Sequence, residues 1–310
     1  MTVHRLLPYR WRSRLDAARH AEAVAGVLDT PAIEPRRDGL VLFSMIGTLA
    51  VLPYLVAVKT LWRQLGRGRV VLLDDGTLTA EDRALLAHHC GDPEIVTLAS
   101  VSTDPFPRGG TWERFLTILD RREGEYWVQL DSDTVTLGPL DEVADAIARN
   151  RSFTLLGGAE AEIGPLPCAE FARRLYPDGP AEGHVQQRVE SRLAEGPKGT
   201  FYIRGCSGFA GFAAGGAGRE LARTFLAAME RFIGREALSL WGTEQLASNF
   251  QIANETAPVL LPYARYLNYW GEAWGEDARF VHFVGTHRHD HGAYAEVSRI
   301  AIEQLRGRTS

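Results

Sequence analysis

The chain has 310 residues, of which 45% are hydrophobic and 24% are charged, so it holds enough apolar material for one large α/β domain or two small ones. A formal net charge of −5 and a pI of about 6.0 exclude the basic character typical of nucleic-acid-binding proteins. The 3 cysteines form no CxxC pair, which predicts reduced thiols and a cytoplasmic protein. We expect no signal peptide and no membrane-spanning segment, because no apolar run approaches ~20 residues.

Residues 1–38 form a basic N-terminal segment that contains 7 arginines and a predicted helix over residues 12–27. Such a helix could bind anionic lipid, which would place the protein at the inner face of the membrane. Alternatively, it docks on the main domain and keeps its arginines in solvent. The apolar face is rich in alanine rather than in bulky side chains, which favours docking. Arginine far outnumbers lysine throughout the chain, a bias that suggests a bacterial source.

From Gly39 onward, continuous apolar runs alternate with segments of helical spacing. The runs are typical of strands buried on both faces, and a capping box predicts a helix that opens at Thr79. We expect strands at residues 39–46, 69–73, 94–98, 126–130, 152–156, 200–212 and 278–285, and further helices at residues 52–65, 111–122, 140–149, 221–233 and 241–250. The alternation predicts one large domain, residues 39–310, with a mostly parallel, Rossmann-like α/β sheet sandwiched by helices.

One stretch of this domain departs from the alternation. Residues 161–199 contain 5 prolines and a polar helical pattern only near residues 185–194. We interpret the stretch as an insertion or lid, which would set the choice of substrate.

Acidic side chains follow two of the predicted strands. Asp74 and Asp75 end the second strand, and Asp131-Ser132-Asp133 follows the buried run at residues 126–130. Side chains at positions i and i+2 of an extended chain point the same way, so Asp131 and Asp133 present two hard oxygen ligands suited to Mg²⁺ or Mn²⁺. Taken alone, both clusters could equally be ordinary turns. Both, however, fall at the carboxyl ends of strands, where parallel sheets bind ligands.

A third cluster lies near the C-terminus, in the sequence from His282 to Arg288. The order of the three clusters resembles the nucleotide-sugar-dependent glycosyltransferases of the GT-A fold over about residues 39–290. The last cluster is similar to the His-x-x-Gly-x-x-Lys element of glycosyltransferase family eight, with Gly285 in place and Arg288 where that family has lysine.

Two further segments carry the same resemblance. Ser207-Gly208-Phe209 is similar to the small-residue strand of family eight. Glu244-Gln245, with Asn249, is similar to its Asp-Gln…Asn helix, with glutamate in place of aspartate.

The resemblance implies a metal-dependent hexosyltransferase that uses a nucleoside-diphosphate sugar, preferably a UDP-sugar. The acceptor would be a glycan, a lipid or a small molecule, within cell-surface polysaccharide or lipopolysaccharide assembly. Asp133 and His282 would bind Mn²⁺ or Mg²⁺, and Asp131 would bind the metal or the ribose of the donor. Arg288 would hold the diphosphate as a bidentate cation, and Gly285 would let the backbone approach it.

The remaining predicted site residues contact the donor or the reacting carbon. Asp75, with Asp74, would hydrogen-bond the base or ribose. Arg114 is placed where a donor-facing cation fits, and an ordinary surface arginine is the alternative. Glu244 and Gln245 are the predicted catalytic residues: Glu244 is a general base in an inverting enzyme, whereas in a retaining enzyme, which we favour, both stabilise an oxocarbenium-like state. Glu244 could also be a helix N-terminal carboxylate. The full predicted donor-binding set is Ser44, Asp74, Asp75, Arg114, Asp131, Ser207, Gly208, Gly285 and Arg288.

Several alternatives stay open at this stage. The loop at residues 287–291 could bind a metal of its own or simply be solvated. Trp241, Trp270 and Trp274 could form a platform for a sugar or pack within the protein. A sugar-nucleotide pyrophosphorylase would share the architecture, but residues 44–50 lack the glycine cluster and the arginine of those enzymes. A non-catalytic nucleotide-sugar-binding protein is the third candidate.

Overall fold

A seven-stranded sheet runs through the molecule, and a three-stranded sheet packs beside it. The computed structural model describes residues 9–307, with side chains from residue 11 onward. The strands are β1 (Leu40–Ile46), β2 (Arg69–Asp74), β3 (Glu94–Thr97), β4 (Tyr126–Leu130), β5 (Thr134–Thr136), β6 (Phe153–Leu156), β7 (Leu166–Pro167), β8 (Phe201–Tyr202), β9 (Gly205–Phe212), β10 (Val259–Leu260), β11 (Tyr266–Tyr269) and β12 (Phe280–Phe283). The α-helices are α1 (Tyr9–Ala25), α2 (Val51–Leu65), α3 (Ala80–Cys90), α4 (Trp112–Arg121), α5 (Asp141–Ala148), α6 (Cys168–Leu175), α7 (Val185–Glu190), α8 (Arg219–Ile233), α9 (Thr243–Ala253) and α10 (Ala293–Leu305).

The large sheet has the strand order β10-β6-β9-β4-β1-β2-β3. Its neighbouring strands are parallel except for β9, which runs antiparallel to both β4 and β6. Alternate residues of β1 divide between two cores: Leu40 and Leu42 pack in one, whereas Val41 and Phe43 pack in the other. Helices therefore cover both faces, and the predicted mostly parallel α/β sheet is confirmed.

In the first half of the chain, the observed helices and strands agree closely with the predicted ones. Strand β4 has the predicted bounds, and β1 and α2 differ from prediction by a single residue at one end. Gly66 ends α2 in the left-handed conformation at φ 63°. The capping box at Thr79 is present, with the Asp82 amide donating to the Thr79 hydroxyl and the Asp82 carboxylate accepting from the Thr79 amide.

The three-stranded sheet was not predicted. Its order is β11-β12-β5, with β12 parallel to β11 and antiparallel to β5. Strand β5 is only three residues long and carries two threonines, so it leaves no apolar run in the sequence. The two sheets meet where Phe209 of β9 stacks on Phe280 of β12, with ring centroids 4.1 Å apart.

The stretch predicted as irregular is more ordered than expected. It contains α6 and the short strands β7 and β8, and α7 ends at Glu190, earlier than predicted. Phe171 of α6 and Val189 of α7 are fully buried in the core shared with α8 and α9. Prolines on both sides of α6 hid it from pattern reading, although the helix has a strongly amphipathic sequence.

The N-terminal helix α1 docks on α10. Asp16, His20 and Val24 are buried on one face of α1, whereas Arg14 and Arg19 are exposed. At the other end of α10, Arg306 donates to the Gly26 carbonyl and to the Asp29 carboxylate, both at 2.8 Å. The docked arrangement is therefore the one the structure shows. Arg5 lies outside the described residues, as does the side chain of Arg10.

Among the described helices, none is both long enough and apolar enough to cross a bilayer. Trp11 on α1 is exposed. Lipid contact through residues 1–38 stays a prediction.

The Phe209–Phe280 contact should be a main determinant of stability. We expect Phe209→Ala to lower the free energy of unfolding by about 3–5 kcal/mol, because the ring is fully buried and its removal leaves a cavity between the sheets. Chemical denaturation followed by circular dichroism measures this value. Leu49→Ala is the control, since Leu49 is 98% exposed and should change stability by less than about 0.5 kcal/mol. Equal changes in the free energy of unfolding for the two variants would contradict the stabilising role of the Phe209–Phe280 contact.

Candidate active site

Strand pairing brings the C-terminal histidine onto the acidic triplet. Strand β5 begins directly after Asp133, and its Thr134 is the register partner of His282 in β12. The Phe283 amide donates to the Asp133 carbonyl at 2.8 Å, which extends the ladder back to the triplet. The triplet also forms a turn, because the Thr134 hydroxyl donates to the Asp131 carbonyl at 2.9 Å. The turn and ligand interpretations of the triplet are therefore compatible, because the turn orients the Asp131 and Asp133 carboxylates toward His282.

Asp131, Asp133 and His282 form a compact group of potential metal ligands. Each offers one ligand atom within 4.8 Å of the others. His282 Nε2 lies 3.3 Å from Asp133 Oδ1 and 3.8 Å from Asp131 Oδ2. Carboxylate oxygens with one imidazole nitrogen suit Mn²⁺ and Mg²⁺, so the residues present fit a divalent cation.

A second layer of contacts orients His282. Its Nδ1 lies 2.9 Å from Oδ1 of Asn268, the register partner of His282 in β11, so Nδ1 carries the proton and Nε2 faces the acids. Cys206 Sγ is 3.4 Å from the same Nδ1. Sequence reasoning missed Asn268, because only the β11–β12 register connects it to the site.

Gly208 leaves room for the imidazole ring of His282. A Cβ at this position would lie 2.3 Å from His282 Cε1 and 2.5 Å from Nδ1, far inside van der Waals contact. The Gly208 carbonyl also accepts the Asp131 amide at 2.9 Å. The predicted donor-binding glycine therefore sits under the metal-ligand group, where any side chain would displace the imidazole.

The ionisable side chains of the group shift one another's pKa. Burial alone would raise the pKa of Asp133, but the charges of His282 and Arg288 outweigh it and hold this pKa below its usual value. Burial alone would lower the pKa of His282, but the facing Asp133 carboxylate raises it well above the usual value. Ligation of a cation needs neutral imidazole, so a metal bound by His282 would displace a proton from the ring.

Arg288 follows a short 3₁₀ turn, Gly285–His287, in which Gly285 has a φ of 48°. Its Nη2 lies 2.5 Å from Asp133 Oδ2, and its Nε donates to the Phe283 carbonyl at 3.2 Å. The side chain is 41% exposed, so the guanidinium also reaches solvent beside the metal-ligand group. This is where the predicted phosphate-binding cation was expected.

A buried ionic network lies under the other side of the group. Arg114 donates to Asp131 through Nη1, and its Nη2 lies 3.1 Å from both Ser207 Oγ and Glu244 Oε2. Glu244 Oε2 also accepts from the Thr111 hydroxyl at 2.9 Å. The structure shows that Arg114 is buried and links two carboxylates, whereas its predicted contact with a donor stays a prediction.

Glu244 is held at the start of α9 with a side chain only 1% exposed. Burial raises its pKa, and the nearby Arg114 offsets the shift only in part. Its Oε1 has no hydrogen-bond partner among the described residues. The neighbouring Gln245 is fixed differently, since its amide oxygen accepts from the Ser207 amide at 3.1 Å.

These residues line one cavity of about 570 Å³, a volume in the range of small-molecule sites. It opens at the edge of the sheet where β4 and β6 end and β9 begins. Wall residues outside the predicted donor-binding, catalytic and metal sets include Tyr176, His184, Gln186 and Gln187 of the insertion and the exposed Trp241 and Trp270. The predicted residues in its wall are Arg114, Asp131, Asp133, Ser207, Gly208, Glu244, Gln245, His282, Gly285 and Arg288.

Three predicted donor contacts lie further along the same edge and do not line the cavity. Ser44 is buried, and its hydroxyl donates to the Leu130 carbonyl at 2.7 Å. Asp74 is buried, pairs with Arg83 and accepts from the Gly76 amide at 2.8 Å. Asp75 is exposed at the end of β2. A donor-binding role stays a prediction for these three residues.

The histidine-rich loop has local contacts. His287 Nδ1 lies 2.9 Å from Asp290 Oδ2, and His289 stacks near His20 and Tyr294. Within residues 11–307, the one group of three or more potential metal ligands is Asp131, Asp133 and His282.

The tryptophans separate into two kinds. Trp274 packs edge-on against Tyr269 and Phe283. Trp241 and Trp270 are exposed and line the cavity.

Gly208→Ala should weaken metal binding. We expect Mn²⁺ affinity to fall by about 10–100-fold, because the added Cβ moves the His282 ring away from the acids. Isothermal titration calorimetry with Mn²⁺ measures the effect, and circular dichroism verifies that the protein is folded. Gly124→Ala is the matched control, since a Cβ there meets nothing within 4 Å. Wild-type affinity in folded Gly208→Ala would show that the close approach is not required.

Comparison with known proteins gives a likeness in structure only, since no family model and no curated protein matches the sequence. The structure of the galactosyltransferase LgtC in complex with donor and acceptor sugar analogs matches 87% of this chain and 100% of its own, with a TM-score of 0.51 and 10% identity. The bifunctional glycosyltransferase WbbM matches 89% of this chain and 53% of its own, with a TM-score of 0.47 and 12% identity. Core-mannan synthase A from Aspergillus fumigatus, in its Mn/GDP form, matches 76% and 75%, with a TM-score of 0.41 and 10% identity.

The match to LgtC spans nearly the whole sheet-and-helix framework described above. It confirms the predicted architecture, whereas membership of glycosyltransferase family eight stays a prediction. The chain has the GT-A fold of glycosyltransferases.

Proposed function

We propose that this protein is a metal-dependent glycosyltransferase that moves a hexose from a nucleoside-diphosphate sugar to an acceptor. One observation carries the proposal: β5–β12 pairing joins Asp131 and Asp133 to His282, with Arg288 beside them, at the carboxyl edge of the sheet. An ordinary turn or a structural ion pair does not require three potential ligand atoms within 4.8 Å of one another beside a partly exposed arginine. A glycosyl donor carries the diphosphate that such a site would bind.

Asp133 and His282 are the residues we propose to hold Mn²⁺ or Mg²⁺, with Asp131 as a third ligand or a ribose contact. The bound cation would act as a Lewis acid that neutralises charge on the departing diphosphate. Asn268 keeps the His282 Nε2 lone pair aimed at the cluster. Arg288, exposed beside Asp133, would bind the diphosphate through its planar guanidinium, and this permanent cation can replace the lysine of family eight.

The order of the strands at the sheet edge suggests how a donor would be oriented. Asp75 follows β2, the acidic triplet follows β4, and the cavity extends from the triplet toward β9 and β6. We therefore place the nucleoside over β1 and β2, where the exposed Asp75 would accept hydrogen bonds from the base or ribose. The transferred sugar then lies in the cavity. We propose UDP as the nucleotide.

Glu244 and Gln245 lie in the cavity wall, next to the buried network that reaches Asp131. We propose that the unpartnered Oε1 of Glu244 stabilises positive charge on the reacting carbon, which supports a retaining mechanism. Arg114 and Thr111 hold the carboxylate in place, so little reorganisation is needed as charge develops. A cytoplasmic role in cell-surface polysaccharide or lipopolysaccharide assembly is proposed by analogy of fold.

Asp133→Ala should abolish transfer and leave the fold intact. We expect wild-type protein to be stabilised by UDP only when Mn²⁺ is present, and the variant to lose this stabilisation together with at least about 10²-fold of its activity. A thermal-shift screen of nucleotides and nucleotide sugars, with and without Mn²⁺, measures binding. Donor hydrolysis measures activity without a known acceptor.

Asp178→Ala is the control, because Asp178 is exposed and lies outside the cavity wall. Full activity in Asp133→Ala would refute the proposed metal role. Equal nucleotide stabilisation without metal would count against Asp133 and His282 as ligands.

Glu244→Gln should lower the turnover number by about 10²–10³-fold and leave the KM for the donor nearly unchanged, because glutamine keeps the shape of the side chain and removes its charge. Steady-state kinetics measures both constants, and NMR of the product determines the configuration at the anomeric carbon. Glu236→Gln, an exposed neighbour in the same segment, is the control. An inverted anomeric configuration would overturn the retaining mechanism.

A further inference from the structure

Two large apolar side chains are exposed inside the cavity rather than buried. Trp241 is 73% exposed and Trp270 is 47% exposed, and both belong to the cavity wall. Trp241 lies two positions before the start of α9 and three before Glu244, and Trp270 directly follows β11, two positions after Asn268. The indoles therefore flank the site from its catalytic side and from its metal side. Exposed indole faces in a concave site are suited to stacking on a flat apolar ligand face.

Ring contacts hold both indoles. His184 packs edge-on against Trp241, with ring centroids 6.5 Å apart, and His287 packs edge-on against Trp270 at 6.3 Å. Gly242, which follows Trp241, has a φ of 95° and a carbonyl that accepts the Leu246 amide at the start of α9. The position of Trp241 is thus fixed by the same helix that presents Glu244, so a ligand on this indole lies near the proposed reacting carbon.

The charges of the cavity favour a neutral ligand. Each arginine in its wall already pairs with a carboxylate: Arg114 with Asp131 and Glu244, Arg204 with Glu190, and Arg288 with Asp133. Arg288 is further assigned to the donor diphosphate. No arginine of the described wall is therefore left without a carboxylate partner to balance an anionic acceptor.

The insertion and the residues that flank it supply the polar part of this wall, and a buried hydrogen-bond network connects them. Glu190 is fully buried and accepts hydrogen bonds from Tyr176 at 2.8 Å, Gln186 at 2.9 Å and Arg204 Nε at 3.0 Å. Its network fixes Arg204, Tyr176 and Gln186, all of which line the cavity. Glu160, also in the wall, has a side chain that is 62% exposed. Carboxylate, amide and phenol groups suit hydroxyl groups, whereas an acyl chain would leave them unpaired.

From these features we propose that the outer half of the cavity is an acceptor subsite for a neutral pyranose, stacked on Trp241 with its hydroxyls facing the insertion. This inference rests on the proposed glycosyltransferase function and names its acceptor class: an uncharged sugar residue of a glycan or glycoside. A pyranose offers an apolar face of C–H groups to an indole and a rim of hydroxyls to polar side chains, which is the pattern of this wall. Glu160 would repel a uronic acid placed there.

The test uses methyl β-D-galactopyranoside and methyl α-D-glucopyranoside as neutral probes, methyl β-D-glucuronide as the anionic probe and decanoate as the acyl probe. Each is titrated into the full chain with and without Mn²⁺ and UDP. Binding is followed by saturation-transfer NMR and by protection of tryptophan fluorescence from acrylamide. We expect at least one neutral glycoside to bind, Trp241→Ala to weaken it by about tenfold, and Trp241→Phe to retain most of the affinity.

Trp11→Ala is the matched control, since Trp11 is 62% exposed and lies on α1, away from the cavity wall. Glycoside affinity that is equal in Trp241→Ala and wild type would overturn the inference, as would preferential binding of glucuronide or decanoate. The nucleotide thermal shift of the same samples separates the two proposals. If the wild-type chain binds a glycoside but shows no thermal shift with nucleotide, the glycosyltransferase proposal is refuted. If it shows the nucleotide shift but binds no glycoside, the acceptor subsite is refuted.

Discussion

The pairing of β12 with β5 is the interaction on which the candidate site depends. The central sheet places Asp131 and Asp133 at its edge, but their partners lie far along the chain. Only the small sheet, fixed to the large one by the Phe209–Phe280 stack, carries His282 to the acids. Backbone hydrogen bonds thus determine the distance between the proposed metal ligands. Side-chain contacts such as Asn268 with His282 then refine the direction of each ligand atom.

The second constraint is the buried ionic network beneath the cavity. Arg114 links Asp131, a proposed ligand, with Glu244, the proposed catalytic carboxylate. Removing charged groups from water is costly, so each member depends on the others for its charge partner. The proposed donor-binding and catalytic sides of the site are therefore parts of one electrostatic unit. Removing the charge of either carboxylate would leave the buried guanidinium with a single charge partner.

Local patterns predicted the elements that have strong local signals. The apolar run of β4, the capped start of α3 and the Asp-Ser-Asp triplet could each be read from neighbouring residues. Strands β5 and β11 could not, because their stability comes from pairing over long sequence separations. Helix α6 was hidden between prolines. The motif order predicted that Asp133, His282 and Arg288 lie together, and the structure places them in contact. Asn268 and Arg204 belong to no motif, so only the fold shows that they line the cavity.

The C-terminal helix α10 supports the site from behind. Tyr294 stacks on Phe283, and its hydroxyl donates to the Ser132 carbonyl at 3.3 Å. His282, Arg288 and Tyr294 are all translated after the central sheet strands, so a nascent chain can form the sheet while the acidic triplet still lacks its partners. Assembly of the proposed metal-ligand group therefore has to wait for β12. A chain truncated before β12 would retain β1–β4 but would lack His282, so the proposed metal ligands could not come together.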